Sequence, residues 1–319
     1  MFETYDLKNF GARIRKIRKS LGYSQTQVST ETGVHRDTLR RIENGNNIVT
    51  FDTLNKLSMF FKKDLFHEIA HYNTNRNLLN YYEKIDDIIS SYDYDKLINI
   101  SNDFEVNFKD KSPSDFSLYE GGVIEQFRLI VKGIEKLIKK DQDNKKIMSI
   151  FKEALKLTLK DFNLYNFSKF KYNLFEIRIL IMIAVALKRD NNYEKSNEIL
   201  KFALKSLDFS EESLLNEKKL IIKCFSNISY NYHNMNNYMK SLEYAIKGIV
   251  YAINQDIIYA LNHLYYRKGI AEYLLDKDES IYKDSLNKAI HILEIKGYYE
   301  LAKKYKEITK DRYNIYLDR

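Results

Sequence analysis

The sequence contains one cysteine, Cys224, one proline, ten glycines and no tryptophan among its 319 residues. A single cysteine excludes a disulfide framework and a thiolate cluster around a metal. The scarcity of helix breakers, with 44% hydrophobic and 30% charged residues, indicates a nearly all-α protein with a substantial core. The longest apolar run, 179–187, has about half the length of a membrane span, and the first ten residues lack an apolar signal segment. We therefore expect a cytoplasmic protein with no membrane segment.

Positive charge is concentrated near the N-terminus. The formal net charge of the chain is +8, and residues 1–66 hold 12 Lys and Arg against 7 Asp and Glu, a net charge of +5. The remaining 253 residues carry only +3, and six of the thirteen arginines lie in the first 66 positions. A length of 319 residues favours two domains. The basic balance of the first of them is compatible with a nucleic-acid partner.

Residues 7–70 contain five short helical patterns, which predict one small helical domain. The first pattern has apolar residues at spacings of three and four, as in a helix with one buried face: Leu7, Phe10, Ile14, Ile17 and Leu21. Gly22 and Gly33 are expected to end the first two helices. Residues that favour helix N-termini precede the second, fourth and fifth patterns: Ser24, Thr50 and Asp64. Gln27 completes a capping box with Ser24, and the expected inward residues of the fourth helix are Leu54, Leu57 and Phe61.

The stretch GVHRDTLRRIENG, residues 33–45, predicts a third helix with one polar and one apolar side. At 3.6 residues per turn, the polar side holds Arg36, Asp37, Arg40, Arg41 and Asn44, and the other side holds Thr38, Leu39 and Ile42. Arginine can bond to both major-groove acceptors of guanine, and aspartate can accept from cytosine. The polar side is therefore a candidate base-reading surface. The alternative is that Asp37 and Arg41, four residues apart, only stabilise the helix surface.

Residues 7–70 resemble the XRE-type, lambda-repressor-like helix-turn-helix domain. The Ser-Gln pair at the second helix, the Gly-Val turn, the ending RIENG and the following TLNKL come in the order and spacing of that family. The resemblance implies a double-stranded DNA partner, with Gln25 and the backbone near Asn44 at phosphates. The full candidate set is Gln25, Gln27, His35, Arg36, Asp37, Thr38, Arg40, Arg41 and Asn44. The sequence departs from the family at His35, where Ser or Thr usually caps the reading helix, and at Thr50 and Phe51, where Pro often stands.

The remainder of the chain repeats itself. NNYEKSNEILKFAL, 191–204, aligns with NNYMKSLEYAIKGI, 236–249, 45 residues later. SIYKDSLNKAIHIL, 280–293, follows with Tyr282 placed 44 residues after Tyr238, and a weaker copy places Phe151 42 residues before Tyr193. An apolar helical pattern precedes each copy. A helix pair that recurs in this way and cannot bury its apolar face alone predicts a helical solenoid.

These copies resemble tetratricopeptide repeats. In that resemblance an aromatic residue begins each second helix: Tyr193, Tyr238 and Tyr282. A small residue follows three positions later: Ser196, Ser241 and Ser285. Ala184 and Ser229 lie twelve positions before the first two serines, where the two helices of a pair must approach closely. Ala203 and Gly248 are expected to occupy the next small position.

The first helices of the repeats are expected to line the concave face of the solenoid. Asn227 and Asn231 lie four residues apart, on one face of their helix, and a primary amide can both donate to and accept from a peptide backbone. The full candidate set for peptide binding is Arg178, Lys223, Asn227, Asn231, Asn234, Asn262 and Arg267. The alternative is that these side chains serve only repeat packing. Cys224, on the same helix, is expected in the core.

No catalytic constellation stands out, so we expect no enzyme activity and no cofactor. The six histidines are scattered, and only His67 and His71 have a spacing that suits a metal. The pattern HEIAH matches a zinc-peptidase motif superficially. It lacks an obvious third ligand, and its neighbours Phe66 and Ile69 have the spacing of packing residues. We therefore expect no metal site here.

The whole chain resembles the peptide-responsive Rgg/PlcR/PrgX (RRNPP) regulators in its architecture. We accordingly predict an all-α chain with a five-helix, XRE-type helix-turn-helix domain at 1–70 and a tetratricopeptide-like solenoid at 71–319. The resemblance implies quorum sensing, with a short signalling peptide as ligand and a homodimer on a two-fold-symmetric operator. Two alternatives remain open: a mobile-element repressor whose repeats serve only dimerisation, and a repeat scaffold that controls a partner protein.

Overall fold

A computed structural model of the protein describes residues 5–70, 72, 74–91, 93–108, 118–138 and 143–317. Short 3-10 helices occur at Tyr94–Lys96 and Phe167–Lys169. The α-helices of the described residues are α1 Leu7–Ser20, α2 Gln25–Thr32, α3 Arg36–Glu43, α4 Phe51–Phe61, α5 Leu65–Ala70, α6 Thr74–Ser91, α7 Leu97–Phe108, α8 Leu118–Ile138, α9 Asn144–Lys156, α10 Leu174–Arg189, α11 Tyr193–Lys205, α12 Leu215–Asn234, α13 Tyr238–Asn254, α14 Leu261–Leu274, α15 Glu279–Ile295 and α16 Tyr299–Tyr313. The prediction of an all-α fold is confirmed.

The chain divides into two compact units, an N-terminal unit of residues 1–84 and a repeat unit of residues 85–319. The division falls inside α6, whereas the sequence analysis placed the boundary after residue 70, before α6 begins. Each unit has its own hydrophobic core.

The core of the N-terminal unit collects the apolar faces of α1 to α5. The buried residues are Phe10, Ile14, Ile17, Val28, Val34, Leu39, Ile42, Leu54, Leu57, Phe61 and Leu65. The inward positions predicted for α1 and α4 are confirmed except at the two ends of α1, where Leu7 is half-buried and Leu21 is 43% exposed. The reason is that α1 ends at Ser20, and Leu21 already belongs to the turn that Gly22 makes with a φ of 77°.

The helix ends of the N-terminal unit follow the predicted capping residues. Ser24 forms the complete capping box with Gln27, and Gly33 ends α2 in the left-handed conformation. The Thr50 hydroxyl accepts from the backbone N–H of Thr53, and the Asp64 carboxylate accepts from that of His67. These side chains satisfy helix-end N–H groups that have no partner within the helix.

In the repeat unit each helix packs against the next one along the chain. The pairs α10 with α11, α12 with α13 and α14 with α15 form the three clear repeats, and α12 also packs against α10 and α14. This arrangement buries a continuous core because each pair covers the apolar face of its neighbour. The predicted helical-repeat solenoid is confirmed.

Buried hydroxyl groups join the two helices of a repeat where close approach was predicted. The Ser196 hydroxyl donates to the carbonyl of Ala184 over 2.8 Å. One repeat later, the Ser229 hydroxyl donates to the carbonyl of Ser241 over 2.8 Å, and the Ser241 hydroxyl donates back over 3.0 Å. Both pairs are separated by twelve residues, and all four side chains are fully buried. The small residues thus let the two helix backbones approach so closely that one hydroxyl group bridges them.

The third repeat departs from the prediction at its second helix. Tyr193 begins α11 and Tyr238 begins α13, but α15 begins at Glu279, three residues before Tyr282. Asp278 occupies the N-cap position, and its backbone carbonyl accepts from the N–H of Tyr282, so the helix starts about one turn earlier. The expectation that an aromatic residue begins every second helix is therefore wrong for this repeat. Ser285 still occupies the buried small-residue position.

Two glycines of α8 provide a matched test of the packing between α8 and α9. A Cβ atom at Gly133 would lie 2.4 Å from Cε1 of buried Phe151, whereas one at Gly122 would meet no atom closer than 3.7 Å. We expect Gly133→Ala to lower the free energy of unfolding by about 1–3 kcal/mol through overpacking. Gly122→Ala should raise it by up to about 1 kcal/mol because alanine favours the helix. Urea unfolding followed by circular dichroism measures both, and equal effects would contradict the close packing.

Candidate functional site

The third helix, α3, presents the predicted polar side chains to solvent. Arg36, Asp37, Arg40, Arg41 and Asn44 are exposed, and on the other side Leu39 and Ile42 are buried in the core of the N-terminal unit while Thr38 is half-buried. His35 caps the helix because its Nδ1 accepts from the backbone N–H of Asp37 at 3.3 Å. The imidazole therefore replaces the usual hydroxyl cap, and the predicted division of the helix into two sides is confirmed.

The ion pair on the exposed face of α3 is not the pair of Asp37 with Arg41 that the alternative predicted. The Asp37 carboxylate lies 3.3 Å from Nη2 of Arg40, three residues along the helix, and does not pair with Arg41. Both partners are more than half exposed, so this pair contributes little stability. Among the described residues, no carboxylate pairs with Arg36 or Arg41. The face thus carries two arginines whose guanidinium groups are available for an anionic partner.

A buried ion pair anchors α3 to α1 and α2. Glu43, at the last position of α3, is buried and accepts from Nε and Nη2 of Arg18 over 2.6 and 2.9 Å. Burial raises the pKa of the Glu43 carboxyl, but the hydrogen bonds from Arg18 and Gln25 and the charges of Arg18 and Arg15 outweigh it, so the pKa is lowered. The glutamate of RIENG therefore orients the exposed helix. Its partner lies 25 residues away, and no local pattern identified this pair.

The other predicted DNA-facing residues make contacts within the N-terminal unit. The Gln25 amide donates to Glu43 over 2.9 Å, and the Gln27 carbonyl oxygen accepts from the backbone N–H of Ser24 in the capping box. The Asn44 side chain accepts from Nη2 of Arg15 over 2.5 Å. Gln25 therefore joins α2 to α3, whereas Gln27 stabilises the start of α2. The contact of Gln25 with a phosphate and the contact of Gln27 with DNA stay predictions.

In the repeat unit, Asp86 of α6 brings together two of the predicted peptide-binding cations. The Asp86 carboxylate accepts from Nη1 of Arg178 over 2.9 Å and, in a short contact, from Nζ of Lys223. All three side chains are buried. Burial raises the pKa of Asp86, but the charges of Lys223 and Arg178 hold it below its ordinary value. Arg178 and Lys223 thus bind a carboxylate of the protein itself, which the sequence analysis did not identify.

The predicted asparagines divide between buried and accessible positions. Asn231 and Asn262 are buried, and Nδ2 of Asn231 donates to Oγ of Ser196 and Oδ1 of Asn197 over 2.8 and 2.9 Å. Asn231 therefore joins α12 to α11 and does not share an open face with Asn227. Asn227 is half-buried, accepting from Nζ of Lys188 and donating to the carbonyl of Lys223.

The remaining two candidates lie at the accessible part of the same surface. Asn234 is exposed, and its amide donates to the carbonyl of Tyr230 one turn earlier. The guanidinium of Arg267 lies over the ring of Tyr230, with 4.5 Å between Cζ and the ring centroid. Nζ of Lys188 lies 4.6 Å from the same centroid. Lys188 and Tyr230 were missed because neither residue stands out at its repeat position.

Comparison with known families supports the assignment of the N-terminal unit. Residues 14–66 match the helix-turn-helix family. Together with the fold of residues 85–319, this match defines the class of the protein as a helix-turn-helix domain followed by helical repeats. No curated protein matches the sequence.

Solved structures share the architecture over nearly the whole chain. PlcR of Bacillus thuringiensis, in complex with the peptide PapR7 and DNA, is 18% identical with a TM-score of 0.68, covering 93% of this chain and 99% of its own. The SHP pheromone receptor Rgg2 of Streptococcus dysgalactiae is 17% identical with a TM-score of 0.52, covering 95% and 99%. ComR of S. thermophilus, in complex with DNA and its signalling peptide ComS, is 15% identical with a TM-score of 0.52, covering 92% and 97%. The fold implied by the resemblance is confirmed.

No described helix has both the length and the hydrophobicity needed to span a bilayer. Within the same residues, no group of three or more His, Cys, Asp or Glu side chains is placed to hold a metal ion. His71, the second histidine of HEIAH, lies outside the described residues.

Proposed function

We propose that the protein is a cytoplasmic, sequence-specific DNA-binding transcriptional regulator whose repeat unit binds a short signalling peptide. The observation that carries the DNA-binding part is the exposed face of α3 within a helix-turn-helix match. That face combines the Asp37–Arg40 pair with Arg36 and Arg41, which pair with no described carboxylate, on a helix whose opposite side is anchored in the core. A helix of this kind enters the major groove, where arginine recognises guanine.

Peptide binding is supported by the first helices of the repeats. The half-buried residues of α10, α12 and α14 combine an amide, two cations and an aromatic ring on neighbouring helices: Asn227, Lys188, Arg267 and Tyr230. Amides and aromatic rings of this kind hold extended peptides by backbone hydrogen bonds and apolar contacts. PlcR and ComR have each been solved with a peptide and DNA bound. We propose that this chain likewise binds both a peptide and DNA.

A homodimer on a two-fold-symmetric operator completes the proposal. One helix-turn-helix unit reads only a half-site, and dimers of such units bind half-sites about 34 Å apart or a multiple of that distance. A peptide that binds one arrangement of the dimer better than another shifts the population and thereby changes the fit to DNA. If the peptide favours the arrangement that fits the operator, it promotes DNA binding. If it favours the other arrangement, it releases the operator.

Peptide binding is tested at Asn227. The chain is purified from the cells that carry its gene, and bound peptides are eluted with acid and identified by mass spectrometry. We expect Asn227→Ala to weaken calorimetric binding of the eluted peptide about five-fold or more, because one or more hydrogen bonds to the backbone are removed. Asn254→Ala, an exposed asparagine at the end of α13, is the control and should bind as the wild type does. Recovery of no peptide would count against the sensing function and in favour of repeats that serve only dimerisation.

A further inference from the structure

Three consecutive repeats place a cation at the same position of their first helix. Arg178, Lys223 and Arg267 are separated by 45 and 44 residues, the same offsets that separate Tyr193, Tyr238 and Tyr282. They lie on α10, α12 and α14, and the middle helix packs against both of the others. The three cations are therefore successive members of one row along the inner helices.

Within the described part of the chain, a carboxylate neutralises the first two members of the row. Asp86 accepts from both Arg178 and Lys223. Among the described residues, no carboxylate pairs with Arg267. Arg267 instead lies over the ring of Tyr230, and a second cation, Lys188, lies near the same ring.

Lys188 also lacks a carboxylate partner among the described residues. Its Nζ donates to Oδ1 of Asn227 over 2.8 Å, and this uncharged amide is its one hydrogen-bond acceptor in that part of the chain. Burial, followed by the charge of Arg267, lowers the pKa of Lys188 to about 8. Two half-buried cations that share one aromatic ring therefore repel each other.

The positive potential extends to the neighbouring imidazoles. Burial and the charges of Arg267 and Arg312 lower the pKa of His233 to about 4. Burial and the charges of Arg267, Lys296 and Lys188 lower the pKa of His263 to about 4. The charge of Arg267 acts on both rings, so the surface around Arg267 attracts an anion of suitable size.

We propose that Lys188 and Arg267, together with the ring of Tyr230, form a binding site for a carboxylate of the signalling peptide. This inference rests on the proposed peptide-sensing function. The planar guanidinium of Arg267 can bind a carboxylate through two parallel N–H donors, and the Lys188 ammonium supplies a third. The ligand carboxylate takes the role at Arg267 that Asp86 takes at Arg178 and Lys223.

Synthetic heptapeptide pools test the proposal and distinguish the two sources of a carboxylate. One pool has a free C-terminus and no Asp or Glu, a second has an amidated C-terminus and one Asp or Glu per peptide, and a third is amidated without acidic residues. Each pool is mixed with the full-length chain and passed over a size-exclusion column. Mass spectrometry then quantifies the peptides that are retained by the chain and elute with it. We expect retention from the first or the second pool to exceed that from the third about ten-fold, as one charge-assisted contact allows. The richer pool identifies the C-terminal or the side-chain carboxylate.

Variants assign the preference to the two cations. Arg267→Gln and Lys188→Gln should each remove the excess of the acidic pools over the neutral pool, whereas Lys205→Gln, an exposed cation at the end of α11, should keep it. Equal retention of all three pools by the wild-type chain would overturn the carboxylate site and leave peptide sensing intact. Retention of no pool would count against the proposed function itself.

A measurement on the free protein separates this site from a structural role. Because Lys188 and Arg267 repel each other without a ligand, Lys188→Met should raise the melting temperature of the free chain, by about 2 °C. Addition of peptide from the retained pool should then raise the melting temperature of the wild type but not of the variant. A lower melting temperature of the free variant would show that Lys188 stabilises the fold and would overturn the assignment.

Discussion

Replacing both Arg36 and Arg40 by alanine is expected to reduce affinity for specific DNA about 100-fold or more, because each bidentate contact with guanine is worth about 1–3 kcal/mol. The probe is a duplex enriched from a random pool by the wild-type chain, measured by gel shift at one salt concentration, since phosphate contacts depend on salt. Both side chains are exposed on α3, and the ion pair between Asp37 and Arg40, which the double variant removes, is exposed to solvent. The fold should therefore stay intact, with unchanged helix content by circular dichroism.

A double variant outside the helix-turn-helix domain controls for the removal of two positive charges. Lys145 and Lys146 are exposed at the start of α9, and replacing both by alanine changes the net charge by the same amount. This control should bind the selected duplex as the wild type does. Wild-type affinity in the Arg36 and Arg40 double variant would exclude α3 as the reading helix.

Replacing Glu43 by alanine is expected to destabilise the N-terminal unit by about 3–5 kcal/mol, because it leaves the Arg18 guanidinium buried without its partner. The hydrogen bond from Gln25 is removed at the same time. Since the chain contains two compact units, a single unfolding transition of the whole chain does not measure the stability of the N-terminal unit alone. Hydrogen exchange of the amides of α1 to α4 reports on this unit directly. Glu31→Ala, at an exposed position of α2, should leave their protection unchanged.

The same ion pair predicts how the stability of the N-terminal unit depends on pH. Because the pKa of Glu43 is lowered in the folded protein, its contribution is fully present above the ordinary pKa of glutamate. That contribution is lost as the pH falls through the lowered value. Amide protection in α1 to α4 should therefore decrease less on acidification in Glu43→Gln than in the wild type. An identical pH dependence would show that Glu43 is not the group responsible.

Features that depend on neighbouring residues could be predicted from the sequence. The two sides of α3 follow from helical periodicity, and the caps at Ser24, Thr50 and Asp64 follow from the residues on either side of them. The close contact of Ser229 with Ser241 follows from the repeat itself. In each case the determining residues lie within a few helical turns or recur at one offset.

Features that depend on distant partners could not be predicted. Asp86 lies 92 residues from Arg178 and 137 residues from Lys223, so no local pattern associates them. The sequence predicts a ligand role for both cations, whereas the fold supplies them with a carboxylate of the chain. Asn231 was placed correctly on its helix, but the neighbouring α11 covers it. The burial of a first-helix residue depends on the angle between repeats, which a single sequence does not specify.

The structure also changes which residues are proposed for ligand recognition. Of the seven peptide-binding candidates, Arg178, Lys223, Asn231 and Asn262 are buried. Asn227, Asn234 and Arg267 are accessible to different degrees, and Asn227 and Arg267 are joined by Lys188 and Tyr230. The proposed site is thus smaller than the sequence suggested. It is centred on Lys188 and Arg267, which no carboxylate in the described segments neutralises.

The most direct test of the account is to measure DNA affinity with and without peptide. Fluorescence anisotropy gives the dissociation constant of the full-length chain for the selected duplex, first alone and then with a saturating amount of the eluted peptide. We expect a change of about five-fold or more in either direction, which corresponds to an allosteric coupling of about 1 kcal/mol or more. Tight, sequence-specific binding that is the same with and without peptide would contradict the central claim that the repeat unit controls the DNA-binding unit.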